Sequence, residues 1–370
     1  MTLAIDGLGL ARASGEIAVE RALAEVRAGR AVLLEGPGAA ALVMAAETFE
    51  AVAADALGAL GAGDARLVLP APRLTRLGAA REKSGSVALP RLDASRIAHL
   101  ALSIDAHIDA PVAPASDFDA AALELLRLAL VLPAAVVLTL PAAATEGAVR
   151  VRLEDVMAYR ATQVAQLRMV GRAPVPLEGA GETEFVVFRG GEGLRDQVAI
   201  VVGRPDLSGP VAVRLHSACL TGDLFGSLKC DCGDQLRDTV HRMAEGQGGI
   251  LLYLDQEGRG NGISNKMRAY ALQAQGFDTF DADAALGFGL DQRRFDFAAE
   301  MLRQLGVRTV RVFTNNPLKI AALKAGGLDV VADQRVLGRP TAENVRYLAS
   351  KRDRAGHYID FDSLAARVPD

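Results

Sequence analysis

The 370-residue chain has no tryptophan, three cysteines and five histidines. An odd number of cysteines argues against a disulfide framework. Long apolar runs are missing too. The most apolar stretch, 128–144, is interrupted by Pro133 and Pro141, and it is too short and too broken to span a bilayer. A buried strand flanked by loops is expected there. No excess of basic charge exists: 41 Lys and Arg face 45 Asp and Glu, a formal net charge of -4. That balance does not favour a nucleic-acid partner, which is usually met by a basic face. The N-terminus has no basic stretch leading into an apolar one, and Asp6 interrupts early. A signal peptide is therefore not expected, and reduced thiols place the expected compartment in the cytoplasm.

What is present is concentrated. Cys219, Cys230 and Cys232 fall within fourteen consecutive positions. Three clustered thiolates suit a soft tetrahedral ion, with zinc as the default. Three protein ligands leave one corner open, as catalytic zinc sites do. Two other readings stand beside this one. His216, three residues before Cys219, would close the site as a structural fourth ligand, or the thiols are simply buried.

Length and composition predict an α/β protein of two domains, each a mixed sheet with packed helices. The first half holds only Phe49, Phe118 and Tyr159 among its aromatics. Residues 171–181, with two prolines and three glycines, read as a linker, so the domains are set at 1–172 and 173–370. Periodicity predicts a helix over 16–27, stopped by Gly29, and a strand over 31–34. In the second half, strands are expected at 198–202, 211–215, 250–254 and 309–313. Helices are expected from a cap at Asp234 to about 245, over 265–275, and from about 295 to Gly306. Asn316-Pro317 reads as a cap followed by proline at the first helical position.

The polar segments of the second half carry the chemistry. A glycine-rich loop at 255–262 follows a strand, and glycines let backbone N–H groups approach an anion. Within it Arg259 can fork two hydrogen bonds to a phosphate, and Glu257 offers a carboxylate to a base edge, a ribose hydroxyl or Mg²⁺; a solvated turn is the alternative. Asp291 and Arg293, two apart, are a catalytic pair or a surface ion pair. Thr314 to Lys319 is a phosphate site at a strand's end or a plain helix cap.

Taken together, these segments resemble GTP cyclohydrolase II over about residues 183–358. The match rests on Arg-Leu-His-Ser-Ala-Cys-Leu-Thr-Gly-Asp at 214–223, Ser-Leu-Lys-Cys-Asp-Cys-Gly at 227–233 and Gln-Glu-Gly-Arg at 256–259. Asn-Lys-Met-Arg-Ala-Tyr at 265–270, Thr-Asn-Asn-Pro-Leu-Lys at 314–319 and the ending through Tyr347, Lys351, Gly356 and His357 complete it. The resemblance implies hydrolytic opening of the GTP imidazole ring with release of formate and pyrophosphate. The product would be 2,5-diamino-6-(5-phosphoribosylamino)pyrimidin-4-one, in the first step of riboflavin biosynthesis. It further implies zinc on Cys219, Cys230 and Cys232, Mg²⁺ on the triphosphate, and a homodimer.

By the same resemblance Asp291 is the proton acceptor, Arg293 a nucleophile toward the α-phosphate, and Tyr270 an active-site hydrogen-bond donor. Nucleotide-contacting positions are Arg214, Leu215, His216, Ser217, Ala218, Gln235, Glu257, Gly258, Arg259, Thr279, Thr314 and Lys319. A guanidinium pKa above ~12 makes a neutral Arg293 cost roughly 7 kcal/mol near pH 7. A charge clamp on the departing pyrophosphate is therefore its rival role. The chain departs from the family pattern at Ala218, where glutamate is common, at Asp255, where arginine is common, and at Asn261, where isoleucine is common. The changes at Ala218 and Asp255 alter charge near the nucleotide. A paralogue acting on another nucleotide or related ring, or a non-catalytic zinc- and GTP-binding regulator, are the alternative functions.

Residues 21–47 of the first half resemble dihydroxybutanone-phosphate synthase, the usual fused partner of this domain. The acidic cluster which that enzyme uses for Mg²⁺ is replaced at 35–41 by Glu-Gly-Pro-Gly-Ala-Ala-Ala, and the histidine motif near 144–149 is missing. Without oxygen ligands a hard cation has no site. The purified chain is expected not to turn over ribulose 5-phosphate; an assay of butanone-phosphate and formate formation from that sugar checks it.

Overall fold

The computed structural model describes residues 14–141, 147–191 and 195–336, together with Gly338, Arg352, Arg354 and Tyr358. The familial ending around Gly356 and His357, and residues 144–146 of the 144–149 stretch, lie outside the described residues. The chain folds as two units. The first comprises residues 1–162, 261–277 and 281–289, and the second 163–260, 278–280 and 290–370.

The first unit is built on seven strands: β1 (Val32–Gly36), β2 (Ala39–Ala45), β3 (Ala65–Leu69), β4 (Gly85–Ala88), β5 (Val112–Pro114), β6 (Ala135–Leu140) and β7 (Val149–Arg152). Their order is β5-β4-β3-β6-β2-β1-β7. Only the β1–β7 pair is parallel. Strand side chains alternate between faces, and both faces are covered. Leu33, Leu42, Leu67 and Val136 enter one apolar cluster, while Val32, Leu34, Val43, Val68 and Val137 enter another. The run expected to hold a buried strand does so, as β6 in the middle of the sheet. Helix Ser14–Arg27 buries Val19, Ala22, Leu23 and Val26 on one face, as its 3.6-residue spacing dictates.

The second unit has its own seven-stranded sheet: β8 (Arg168–Pro174), β9 (Thr183–Arg189), β10 (Asp196–Val202), β11 (Val211–Ser217), β12 (Gly249–Leu254), β13 (Thr309–Phe313) and β14 (Asp329–Gln334). The order is β14-β13-β11-β12-β10-β9-β8. Strands β14, β13, β11 and β12 are parallel, and β10, β9 and β8 continue antiparallel. Helices Asp296–Gln304 and Pro317–Ala325 seal one face through Phe297, Met301 and Leu323. Helix Cys232–Glu245 seals the other through Val240 and Met243. Because β11, β12 and β13 run parallel, their carboxyl ends lie along one edge. That edge is where open α/β sheets hold ligands.

The expected division at 172/173 needs correction. It falls inside β8, and the units divide at 162/163. Glycine and proline there mark an edge strand rather than a linker, since an edge strand has no outer neighbour demanding its N–H groups. The second correction is larger: residues 261–277 and 281–289, assigned by sequence to the C-terminal half, belong to the first unit. No helix among the described residues is long and apolar enough to cross a membrane.

Candidate active site

Cys219 stands two residues past β11 and starts one wide helical turn, Leu220–Leu224. Cys230 and Cys232 follow, with Cys232 opening helix Cys232–Glu245. The helix thus begins two residues before the expected cap, and Asp234 lies in its first turn, bonded to Arg237 at 3.1 Å. The three sulfurs lie within 4.8 Å of one another, and the Cys219 and Cys230 sulfurs are 3.7 Å apart. A tetrahedral ion with Zn–S bonds of about 2.3 Å spaces its sulfurs about 3.8 Å apart, so the cradle fits zinc. Gly222 leaves the room. A Cβ there would lie 2.6 Å from the Cys230 sulfur and 3.1 Å from that of Cys219. Hydrogen bonding to Cys219 pushes the Cys230 thiol up to about 11. A cation in the cradle would reverse that push, because metal ligation requires the thiolates.

His216 is engaged elsewhere. Its Nε2 lies 3.0 and 3.1 Å from the two Asp223 carboxylate oxygens, and its ring stacks on Tyr253 at 5.7 Å between centroids. Burial, then the nearby charges of Arg214 and Lys319, hold its pKa below the ordinary value against the pull of Asp223. A neutral ring facing a carboxylate carries its proton on Nε2. Nδ1 is then left to accept from Arg214, 3.5 Å away. Asp223 also accepts from the Cys219 amide at 2.9 Å and the Tyr253 hydroxyl at 3.1 Å. The carboxylate thereby fixes the cysteine loop to two strands. Sequence reading included Asp223 in a motif without assigning it a task and passed over Tyr253. The available signal was a lone polar ring in the apolar strand β12.

The glycine-rich loop follows β12 directly. Gly258 and Arg259 both adopt left-handed backbone angles, φ 60° and 61°. Glycine does so freely, but arginine in that region is a sparsely populated state of the kind found at ligand sites. The Arg259 guanidinium lies 4.1 Å from the Phe280 ring centroid. Glu257 accepts from the Leu220 amide at 2.5 Å and from the Gly258 amide at 2.9 Å, so the loop is tied to the cysteine turn. Gln256, fully buried, accepts from Ser217 at 3.5 Å and donates to the Arg294 carbonyl. It joins the end of β11 to the 291–294 segment.

There Asp291 and Arg293 form a two-pronged pair, Nε to Oδ1 at 2.9 Å and NH2 to Oδ2 at 2.6 Å, with the Arg293 amide on Oδ1 at 3.0 Å. Burial works to raise the Asp291 carboxyl. Arg293, aided by Arg259, outweighs burial and holds it below the usual carboxylate range. Arg293 NH1 reaches the Ser217 hydroxyl at 3.4 Å. This geometry joins the cysteine loop, the glycine-rich loop and the charged pair through Ser217 and Gln256.

The remaining candidates have distinct settings. Arg214 is buried, with NH2 on the Gln235 side chain at 2.6 Å. Leu215 is a core residue whose carbonyl accepts from the Lys319 ammonium at 2.6 Å. The Ala218 amide bonds the Leu254 carbonyl at 2.8 Å. Thr314 is buried, its hydroxyl accepting from the Asn316 amide at 3.0 Å. Thr279 opens helix Thr279–Ala285 within the second unit's short 278–280 segment. Tyr270 lies on helix Ile263–Ala274, in the first unit, with Lys266 Nζ 5.6 Å from its ring centroid. The structure therefore gathers the cysteines, Asp291, Arg293 and the nucleotide candidates in the second unit, and Tyr270 in the first.

A family profile described as GTP cyclohydrolase II matches residues 168–335, from the first residue of β8 to one past the end of β14. A GTP cyclohydrolase-2 of Xylella fastidiosa is 44% identical over 353 residues, covering 94% of this chain and 89% of the relative. One from Azospirillum brasilense is 43% identical over 365 residues, covering 92% and 93%. The chain belongs to the GTP cyclohydrolase II family. A solved two-domain 3,4-dihydroxy-2-butanone 4-phosphate synthase from A. baumannii aligns with 86% of this chain and 99% of its own, at 18% identity and a TM-score of 0.33. The two GTP cyclohydrolase-2 relatives match across nearly the full length, so the likeness includes the first unit as well as the cysteine site.

Two outcomes are expected. Gly222→Ala should weaken zinc binding about 10- to 100-fold, the range for residues that shape a metal site without touching the ion, as read by competition with a chromophoric chelator. The second concerns pH. The unfolded His216 imidazole takes its proton near about 6.5, whereas the folded ring takes it only at lower pH. Its contribution to stability is full above that value and is lost as pH falls through it toward the folded pKa. Urea unfolding across this range should show the decline, and His216→Gln should flatten it.

Proposed function

We propose that the chain opens the imidazole ring of GTP by hydrolysis, releasing formate and pyrophosphate and yielding 2,5-diamino-6-(5-phosphoribosylamino)pyrimidin-4-one, which commits GTP to riboflavin synthesis. One observation carries the reading: a three-thiol cradle of zinc dimensions tied through Ser217 and Gln256 to a half-buried Asp291–Arg293 pair. Family membership supports the same reaction class. Cys219, Cys230 and Cys232 would hold zinc, which supplies the Lewis acidity that makes water nucleophilic near neutral pH. The guanine ring would be attacked at C8.

Several residues would seat the nucleotide. Arg259, in its left-handed turn beside two glycines, presents a fork suited to phosphate oxygens, and Mg²⁺ would accompany the triphosphate. Arg214, Gln235, Thr314 and Lys319 supply further polar groups near the carboxyl ends of β11 and β13. Tyr270 would donate a hydrogen bond to the opening ring. Arg293 acts as a charge clamp on the leaving pyrophosphate. A carboxylate held below its usual range, paired by both oxygens to the guanidinium, favours the charged arginine over a neutral nucleophile. The working form would be a cytoplasmic homodimer.

Incubation with GTP, Mg²⁺ and zinc should release formate, with the ultraviolet change of ring opening. Zinc uptake without turnover would instead support the regulatory reading. Ala218 and Asp255 favour testing other nucleotides in the same assay, and faster formate release from one of them would reassign the substrate. Arg293→Lys should retain part of the pyrophosphate release that Arg293→Ala abolishes, and quenched wild-type enzyme should carry no nucleotidyl adduct on Arg293. An adduct would make that residue the nucleophile.

A further inference from the structure

The first unit has an occupation that its own sequence does not announce. Helix Ile263–Ala274 presents two faces. Asn265, Ala269 and Leu272 recur at helical spacing. Asn265 and Ala269 are buried, and Ala269 and Leu272 enter the apolar cluster of the first sheet with Leu67 and Val136. Lys266 and Tyr270 lie roughly a third of a turn away, at 100° per residue. Ala282, Leu286 and Phe288 join the same cluster. Residues 261–289 are thus built into the first unit's core, except for the short 278–280 segment.

Polar contacts fix the orientation that apolar burial alone leaves loose. Glu47, in a short turn after β2, accepts from Arg268 NH1 at 2.6 Å and from the Leu132 amide at 2.9 Å. Asn265 Nδ2 donates to the Leu130 carbonyl at 3.2 Å. Leu130 itself has φ 58°, a left-handed state that costs a leucine energy and persists only where surrounding structure imposes it. Arg73 is buried, and its guanidinium spends its bonds on carbonyls. It donates to Leu100 at 2.9 Å, to Ser103 at 2.7 Å and to Ala285, the last residue of helix Thr279–Ala285, at 2.7 Å. Burial, with Arg76 nearby, lowers this arginine only to about 10, so it stays charged at neutral pH and suits the negative ends of two helices. Gly287 lets the backbone close in: a Cβ there would lie 2.9 Å from the Pro70 ring.

We infer that the first unit is a scaffold for the helix that bears Tyr270 and Lys266, and that Glu47 is a positioning residue for turnover, acting through Arg268. The turnover part rests on the function proposed above. The scaffold part does not.

The test uses the full-length, zinc-loaded chain and two variants. Glu47→Gln keeps an acceptor for the Leu132 amide but loses the ion pair, and Arg268→Met keeps the aliphatic stem. Hydrogen exchange of amides 263–274 should rise about 10-fold or more as the helix opens locally, while amides of β12 keep their protection. In the same preparations, kcat for formate release from GTP should fall about 10-fold or more, as expected for a displaced reacting group. KM should stay within about twofold, because the proposed nucleotide contacts are in the second unit. Unchanged exchange in both variants would overturn the scaffold. Raised exchange with unchanged kcat would overturn the positioning role. Should the unaltered chain release no formate, the proposed activity fails, and exchange alone decides the scaffold.

Discussion

The site depends on one carboxylate. Asp223 accepts from a ring nitrogen on β11, a hydroxyl on β12 and the amide of the first cysteine, so two adjacent parallel strands and the cysteine turn are fastened at one point. Each donor would be costly to leave unmet in a buried setting. Together they fix the His216 tautomer and the path of the chain through Cys219. The same junction keeps the imidazole, though near in sequence, engaged away from the thiol cradle: its nitrogens face Asp223 and Arg214.

The second sheet turns this local fastening into a site. Parallel β11, β12 and β13 deliver the cysteine turn, the glycine-rich loop and the Thr314–Asn316 bend to the same edge. Gln256 and Ser217 then connect these to the 291–294 segment. An ionised Asp291 and a two-pronged Arg293 form a preorganised charge pair, with each partner stabilising the other's charged state. That suits holding anionic oxygens more than offering a neutral guanidine nucleophile.

Much of this was legible in the residues because it is governed locally. The strand at 309–313 and the Asn316-Pro317 start follow from alternation and cap chemistry, and the cysteine spacing alone located the cradle. Besides the Asp223–Tyr253 junction, three features escaped. Asp234 has the chemistry of a cap, yet the helix begins at Cys232, because the cysteine turn sets its entry. Residues 171–174 have linker composition, but an edge strand tolerates the same glycine and proline. The fate of 261–289 was the largest miss. The stripe Asn265, Ala269, Leu272 announces a buried face without saying which core receives it, and such choices are made by long-range packing.

Residues 261–289 also make the two halves of this chain non-modular. A protein whose second half lends a helix to the core of its first cannot shed that first half by a single cut. Truncation at 162 would strip the partner from the Ala269 and Leu286 faces and strand Arg268 without its carboxylate. Separating the two units with both cores intact would take cuts on either side of residues 261–289 as well.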